Sequence, residues 1–429
     1  MKGFLRKKVV NKGICYILTK YRKSAILHSY PMNRYMKIAL IGSKGIPTRS
    51  GGVERHVEDL AVRFARLGHD VTVYGRKSYG LPEKSEYNGV RVLAMPSIAT
   101  KNLDAITATF LGTLHILFSR YDIVHYHGIG PSSLLLLIRI FRPKMKVIST
   151  FHSRDYEHKK WGWFARQYFY FGEWVSCRFP HRTLAISHSL VDYARKAYKR
   201  KAIYIPNGCA VAPITSTNVL HDFGLESKKY ILTVSRLVRH KGVHFLIEAF
   251  EELQASDSKY NDYKLVIVGG SSHTDDYVSG IQELARKNKN IVVAGEQSGR
   301  NLKELFSHAY LFAQPSLFEG LSIALLEAMG YGLAPFVSDI PENREAVGEA
   351  GITFQSGNIE DLQRKLQKLL DEPEDVLWKG VLAQRRAKKE YHWDTIASQT
   401  LAVYESLLKE NSSSYQSERR VFSHNHSLS

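Results

Sequence analysis

The chain has 429 residues, 44% of them hydrophobic and 24% charged, with 30 Gly and 13 Pro; this suits two or three globular domains and excludes a small stapled module, a fibre or a disordered chain. Its three cysteines, Cys15, Cys177 and Cys209, are too few for a disulfide framework and lack zinc-type spacing, so a reducing cytoplasmic compartment is expected. The net charge of +19 is uneven: residues 1–210 carry 36 basic and 12 acidic side chains, residues 211–429 carry 24 and 29, which points to an anionic partner for the first half, be it a membrane surface, nucleic acid or a phosphate-rich substrate.

Residues 1–35 form a basic extension, and the first 50 residues hold 12 Lys or Arg and no acid. The stretch MKGFLRKKVVNKGICYILTKYRK has no continuous apolar core or cleavage site, so it is not a secretory signal. It reads either as an interfacial basic helix on anionic lipid or as an extension ahead of a domain starting at Met36. From there Met36–Gly42 is a short apolar strand, Ser43–Gly52 a loop and Val53–Leu67 an amphipathic helix stopped by Gly68, before Asp70–Tyr74 resumes a strand. That is a βαβ unit of a doubly wound sheet. Ala105–Phe118 and Leu134–Phe141 are too short and too interrupted to span a membrane and are expected as buried elements. Further strands are legible at Asp122–His125, Lys146–Thr150, Arg182–Ile186 and Ala202–Ile205, and the turn Pro206-Asn207-Gly208 ends the first domain, residues 36–208.

A second α/β series, residues 209–389, has strands at Tyr230–Val234, Lys264–Val268, Asn290–Val293, Ala309–Ala313 and Ala334–Val337. Val243–Gln254 and Asp275–Asn288 carry the helical apolar repeat between them. Residues 390–409 read as one more amphipathic helix, and the Ser-rich segment 410–429 as a disordered tail. No repeat of 20–50 residues is visible, which excludes a solenoid or propeller.

Ligands of open α/β sheets bind beyond the carboxyl ends of strands, which singles out the junctions there. In PSLFEGLSIALLEAM (Pro315–Met329) a strand end is followed by Glu319-Gly320 on a turn and by a helix from about Ser322 that carries Glu327. A continuous helix would hold the two glutamates ~12 Å apart. With Glu319 on the loop, both can border one ligand, and the helix N-terminus between them suits a diphosphate. A carboxylate set among apolar residues, as Glu327 is, needs a partner. Arg236 and Lys241 follow the strand Tyr230–Val234 and suit a pyrophosphate leaving group; surface cations on a loop are the plainer reading. Gly51-Gly52 lets bare backbone approach a phosphate or sugar. The segment GSKGIPTRSGG lacks both the dinucleotide fingerprint and a phosphate-loop lysine, which weighs against an NAD enzyme or a P-loop ATPase. His125, His127 and His152 lie near strand ends of the first domain, with no carboxylate spacing to complete a metal site.

Together FEGLSIALLEA, SRLVRHKG, GGVERHVEDLA and AISHS followed by IPNG resemble the retaining GT-B glycosyltransferases of family 4, over about residues 36–408. GSKGIPTRSGGVERHVEDLA and STFHSRDYEHKKWGWFARQYFYFGE look most like the branch of bacterial rhamnosyltransferases of capsule and exopolysaccharide assembly, although Ser153 stands where that branch commonly has Gly. The resemblance implies an α/β fold of two Rossmann-like domains facing a central cleft, with a nucleoside diphosphate sugar as donor. Glu327 would bond the ribose and Glu319 the sugar hydroxyls. Arg236 and Lys241 would grip the diphosphate, and His152 would touch the sugar near the reacting carbon. Gly51 and Gly52 would line the phosphate from across the cleft, with Gly320, Leu321 and Ser322 at the donor's helix N-terminus. No metal cofactor is implied. The expected partners are a lipid-linked glycan acceptor and an anionic membrane surface, with no nucleic acid, and the expected location is peripheral on the inner face of the cell membrane. Another hexosyltransferase of the same fold (glucosyl, galactosyl or mannosyl), a nucleotide-sugar epimerase and a non-catalytic glycan-assembly subunit are the alternatives.

Overall fold

A computed structural model describes residues 35–49, 51–100, 103–154, 162–271 and 274–425, with side chains described to residue 410. The basic extension up to residue 34 and the segment 155–161 of the second rhamnosyltransferase-like motif lie outside these residues.

The first sheet has eight strands: β1 (Lys37–Ile41), β2 (Asp70–Arg76), β3 (Lys84–Tyr87), β4 (Val90–Met95), β5 (Ile123–His127), β6 (Lys146–Phe151), β7 (Arg182–Ala185) and β8 (Ile203–Tyr204), in the order β3-β4-β2-β1-β5-β6-β7-β8. Every pairing is parallel except β3 with β4. That hairpin was not anticipated, yet its signal was present. Asn88 and Gly89 both take positive φ, 50° and 81°, as a two-residue hairpin turn requires. The second sheet holds β9 (Tyr230–Val234), β10 (Lys264–Val268), β11 (Ile291–Gly295), β12 (Leu311–Gln314), β13 (Ala334–Ser338) and β14 (Ile352–Phe354), all parallel, in the order β11-β10-β9-β12-β13-β14. The fold is therefore α/β with two Rossmann-like domains of GT-B type. In each sheet the order reverses beside the first strand, between β1 and β5 and between β9 and β12, and a crevice at the carboxyl ends follows from that reversal.

Buried strands explain the apolar runs. β1, β5 and β6 are buried almost throughout, and helices on both faces exclude water from them. The runs Ala105–Phe118 and Leu134–Phe141, expected to be buried, form the helices Asp104–Leu117 and Leu135–Phe141, and only their inner faces are covered. Ile116, Leu135 and Ile138 pack onto the sheet, whereas Phe110, Leu111, Phe118, Ile140 and Phe141 are exposed. A helix in a single layer has one sheet to lean on, so an all-round apolar sequence leaves its outer face bare.

The last helix also differs from expectation. It runs Trp393–Asn425, past residue 409 and into the segment expected to be a disordered tail. Residues 394–425 contain neither Pro nor Gly, so nothing local stops the helix. It follows the helix Pro373–Glu390 of the second domain but packs on the first, on the helix Gly52–Arg66. Arg63 Nε meets Asp394 Oδ1 at 2.7 Å, Arg182 pairs with Glu410, and the rings of Phe64 and Tyr404 lie 5.7 Å apart. The chain thus crosses between the domains twice, and the crossings touch: the Cys209 N–H donates to the Tyr391 carbonyl at 2.7 Å.

Candidate functional site

A cleft of about 710 Å³ lies between the two sheets' carboxyl ends, and its lining includes His152, Arg236, Lys241, Glu319, Glu327, Gly51, Gly52, Gly320, Leu321 and Ser322. The ten residues that the family resemblance implies for the donor site are thus brought together.

The wall contributed by the first domain begins after β1. Its loop is held by two carboxylates of the following helix: Lys44 N–H donates to Glu54 and Thr48 N–H to Glu58. Gly51, at φ 107°, precedes that helix, and a Cβ there would sit 2.1 Å from Glu54 Oε2. Gly52 has nothing within 4 Å of its would-be Cβ, so its backbone is open to a ligand. Arg55, one turn on, reaches across: its Nη2 lies 3.8 Å from Glu327 Oε1, and its Nε 2.8 Å from Asp59 Oδ2.

The wall of the second domain is built by the loops after β9 and β12. Lys241 Nζ pairs with Glu319 Oε1 at 2.5 Å, and Ser316 Oγ donates to the same oxygen at 2.7 Å. The loop that carries Lys241 closes on Gly242, at φ 69°, where a Cβ would collide with the Pro315 carbonyl at 2.1 Å. Ser322 caps the helix Ile323–Gly330, its Oγ accepting from Leu325 N–H at 3.4 Å. The early N–H groups of that helix therefore point at the cleft with their partial positive charge. Glu327, on the same helix, is pushed up to about 7 by burial, against the attraction of Arg55.

Gly320 brings the second domain's backbone against the first: a Cβ there would lie 2.0 Å from the His152 carbonyl oxygen. Two more ties span the cleft. Asn207 donates through Nδ2 to the Leu321 carbonyl at 2.7 Å, which fixes its amide, so Oδ1 accepts from His56 Nδ1 at 2.8 Å. The N-terminus of the helix His188–Tyr198 receives Glu345 at 2.9 Å, and Ser189 donates to Glu342 at 2.8 Å.

The histidines divide. His125, expected on the ligand edge, is instead a core residue bonded to Tyr404 Oη and Thr150 Oγ1, each at 2.6 Å. His127 sits behind His152, which it meets through Nδ1 and Nε2 at 3.2 Å. Of the three only His152 lines the cleft. His56, His127 and His152 bring ring nitrogens within 4.8 Å of one another, and all three are buried. Burial holds His56 down to about 4 and pushes His125, His127 and His152 well below the usual range, with their histidine neighbours adding to it. His152 is therefore a neutral hydrogen-bonding group.

Several lining residues were not foreseen. Arg49, Arg55 and Arg154 add cations on the first-domain side, while Glu296 to Gly299, Leu302, Lys303, Phe306 and Tyr331 extend the cleft past Gly269-Gly270. The polar loop EQSG directly after β11 was the available signal, since it occupies the same strand-end position as the loops that were read.

Residues 50–212 match the family described as "Glycosyltransferase Family 4" and residues 221–386 match "Glycosyl transferases group 1". An uncharacterized glycosyltransferase of Methanocaldococcus jannaschii is 26% identical over 87% of this chain and 99% of its own length. An MMP alpha-(1->4)-mannosyltransferase of Mycolicibacterium hassiacum is 24% identical over 87% and 98%. Among solved structures, sucrose-phosphate synthase from Thermosynechococcus elongatus superposes with a TM-score of 0.75 at 20% identity, covering 87% of this chain and all of that one. Anabaena HepE in complex with UDP-glucose superposes at 0.71 and 16% identity, with the same coverage.

Proposed function

Since this chain is a glycosyltransferase of family 4 type with the GT-B fold, we propose that it moves a sugar, with retention of configuration, from a nucleoside diphosphate donor to a lipid-linked glycan at the inner face of the cell membrane. The observation that carries this reading is the cleft itself. Arg236 and Lys241 leave the carboxyl end of β9, the strand at the switch point of the second sheet, and line one cavity with the bare backbone of Gly51-Gly52 and with Glu319 and Glu327.

In this assignment the diphosphate lies between Arg236, Lys241 and the helix N-terminus capped by Ser322. Gly320 and Leu321 shape its floor, and Gly51 and Gly52 close on it from the first domain. Glu327 accepts from the ribose hydroxyls. Glu319, once the donor separates it from Lys241, accepts from the sugar hydroxyls. His152, neutral, offers a hydrogen bond near the reacting carbon. The bond from the anomeric carbon to the diphosphate oxygen breaks, the acceptor oxygen bonds to the same face of that carbon, and the acceptor proton passes to the departing phosphate. The cations then act where negative charge grows, on the leaving oxygen, so that no metal is required of the protein. HepE has been solved with UDP-glucose, and the M. hassiacum relative bears the name of a mannosyltransferase; both fit a hexose donor. Rhamnose is assigned on the likeness of GSKGIPTRSGGVERHVEDLA and the second motif to the rhamnosyltransferase branch, in surface-polysaccharide assembly.

Thermal melting against nucleoside diphosphates and their sugars tests this, because a ligand that binds only the folded chain raises the melting temperature. Selective stabilisation by thymidine diphosphate rhamnose is expected. A response to uridine or guanosine sugars instead discards rhamnose and keeps the reaction, and no response to any of them discards the donor site.

A further inference from the structure

The helices Asp104–Leu117, Leu135–Phe141 and Trp163–Arg178 bury Ile116, Ile138 and Val175 in one cluster against the first sheet, so their outer sides share one surface. That surface is apolar well beyond what covering the sheet needs. At 100° per residue, Trp163, Phe164, Tyr170, Phe171 and Trp174 of the third helix fall within an arc of about 120° and extend over roughly 16 Å. All five are exposed, Trp163 at 65% and Phe164 at 83%. Phe118, 89% exposed, and Ile140 and Phe141 continue the patch on the neighbouring helices. Those two helix ends are tied together, Arg142 donating to the carbonyls of Leu117 and Ser119.

Among the described residues, the charges around this patch have one sign. Arg120, Lys144, Arg166 and Arg178 are exposed and make no ion pair with any described residue. The three helices contain two acids, and neither offsets that charge. Asp104 is occupied by Arg76, Ser78 and Ser97, and Glu173 is buried beneath the hydroxyls of Tyr193 and Tyr198. Large exposed apolar patches mark interaction surfaces, and Trp and Tyr beside Lys and Arg on one helix face suit the boundary between headgroups and acyl chains. A protein partner of opposite charge would also fit cations, but a broad aromatic face that, among the described residues, is ringed by cations and free of exposed acid matches an anionic lipid sheet.

We infer that this face, formed by the outer sides of the three helices, is the surface by which the protein lies on an anionic bilayer leaflet. The inference rests on the proposed lipid-linked acceptor and adds which surface meets the lipid. Trp163 opens the helix that follows the carboxyl end of β6, and His152, directly after that strand, lines the cleft, so the cleft opens beside the membrane instead of away from it. An acceptor anchored in that leaflet then reaches the donor from the first domain's side.

The test is co-sedimentation of the full chain with phosphatidylcholine vesicles with and without phosphatidylglycerol, at low and high salt. The wild type is expected to sediment with the anionic vesicles only, and less so in salt. Trp163→Ser with Phe164→Ser, and separately Lys144→Glu with Arg178→Glu, should each lower the bound fraction about tenfold or more while keeping the wild-type melting temperature. Wild-type binding by both pairs would overturn the inference and move lipid binding to the basic extension. Failure of the wild type to bind would overturn it as well. A mass above the monomer without vesicles, lowered by the Trp163 and Phe164 changes, would assign the face to a second copy of the chain. Vesicle binding with no melting response to any sugar nucleotide would instead reject the proposed function and leave the membrane face standing.

Discussion

Lys241 and Glu319 neutralise each other at 2.5 Å, so donor binding must divide a pair already made, giving the cation to phosphate and the carboxylate to hydroxyls. Lys241→Ala leaves Glu319 with Ser316 alone and is expected to lower turnover at least about tenfold without unfolding the protein. Glu327→Gln is expected to do the same, and near-wild-type rates in both would refute the assigned roles. Glu327 also carries a pH signature. Its carboxyl is raised from the ordinary value to about 7 by burial, so the folded state holds its proton longer than the unfolded chain does. That contribution to stability is present below about 4.5 and is lost as pH rises through 7, on the order of 3 kcal/mol in all. Glu327→Gln should therefore raise the melting temperature relative to wild type at pH 8 and lose that advantage at pH 5. Gly320→Ala places a methyl group 2.0 Å from the His152 carbonyl; the domains must part to admit it, and turnover should fall more than donor binding does. Residues at strand ends were legible because topology alone dictates where a sheet holds ligands: Arg236, Lys241 and Glu319 follow from that rule. Arg55, His56 and Asn207 were not, because their roles depend on a domain contact that no local pattern encodes. His125 was misplaced for the same reason, its partner Tyr404 lying 279 positions away.

The elements themselves were largely readable. Eleven of the strands follow from short apolar runs closed by Gly, polar loops or helix starts, and the amphipathic helices from their apolar repeat. What escaped was β3, β4 and β14, together with pairing and extent. The β3–β4 hairpin hides because KSEY has no apolar alternation, although Asn88-Gly89 and the alternating VRVLAM of β4 were signals for it. The C-terminal helix was found, but its length and its address were not: Ser-rich sequence resembles a tail, and only the first domain's surface shows why Leu401 and Tyr404 face inward. Two substitutions examine that address. Tyr404→Phe strips His125 Nδ1 of its partner inside a dry core and should cost about 1–3 kcal/mol. Leu401→Ala, at a fully buried position, should cost about 2–5 kcal/mol. Urea titration of each variant measures both, and wild-type midpoints would place the helix elsewhere.

At the scale of the molecule, a cluster of four buried histidines shapes the response to acid. His56 is held to about 4, and His125, His127 and His152 well below their usual value, chiefly by burial. The unfolded chain would protonate each near 6.5, so it binds more protons than the folded one throughout the acid range. Stability is full above about 6.5 and is lost as pH falls toward 4, at roughly 1.4 kcal/mol per histidine for each pH unit. Unfolding free energy measured in urea should therefore drop by several kcal/mol between pH 7 and 5, and a flat profile would contradict a neutral cluster.

The return of the last helix onto the first domain also governs how the protein is made. A domain whose covering helix is encoded after its neighbour cannot close when its own strands leave the ribosome. The face of the helix Gly52–Arg66 that receives Tyr404 stays wet until the whole second domain has been synthesised, a delay of roughly ten to forty seconds. The nascent first half must spend that interval with Phe64 uncovered, so a messenger truncated anywhere before the Trp393 codon yields a first domain lacking part of its core.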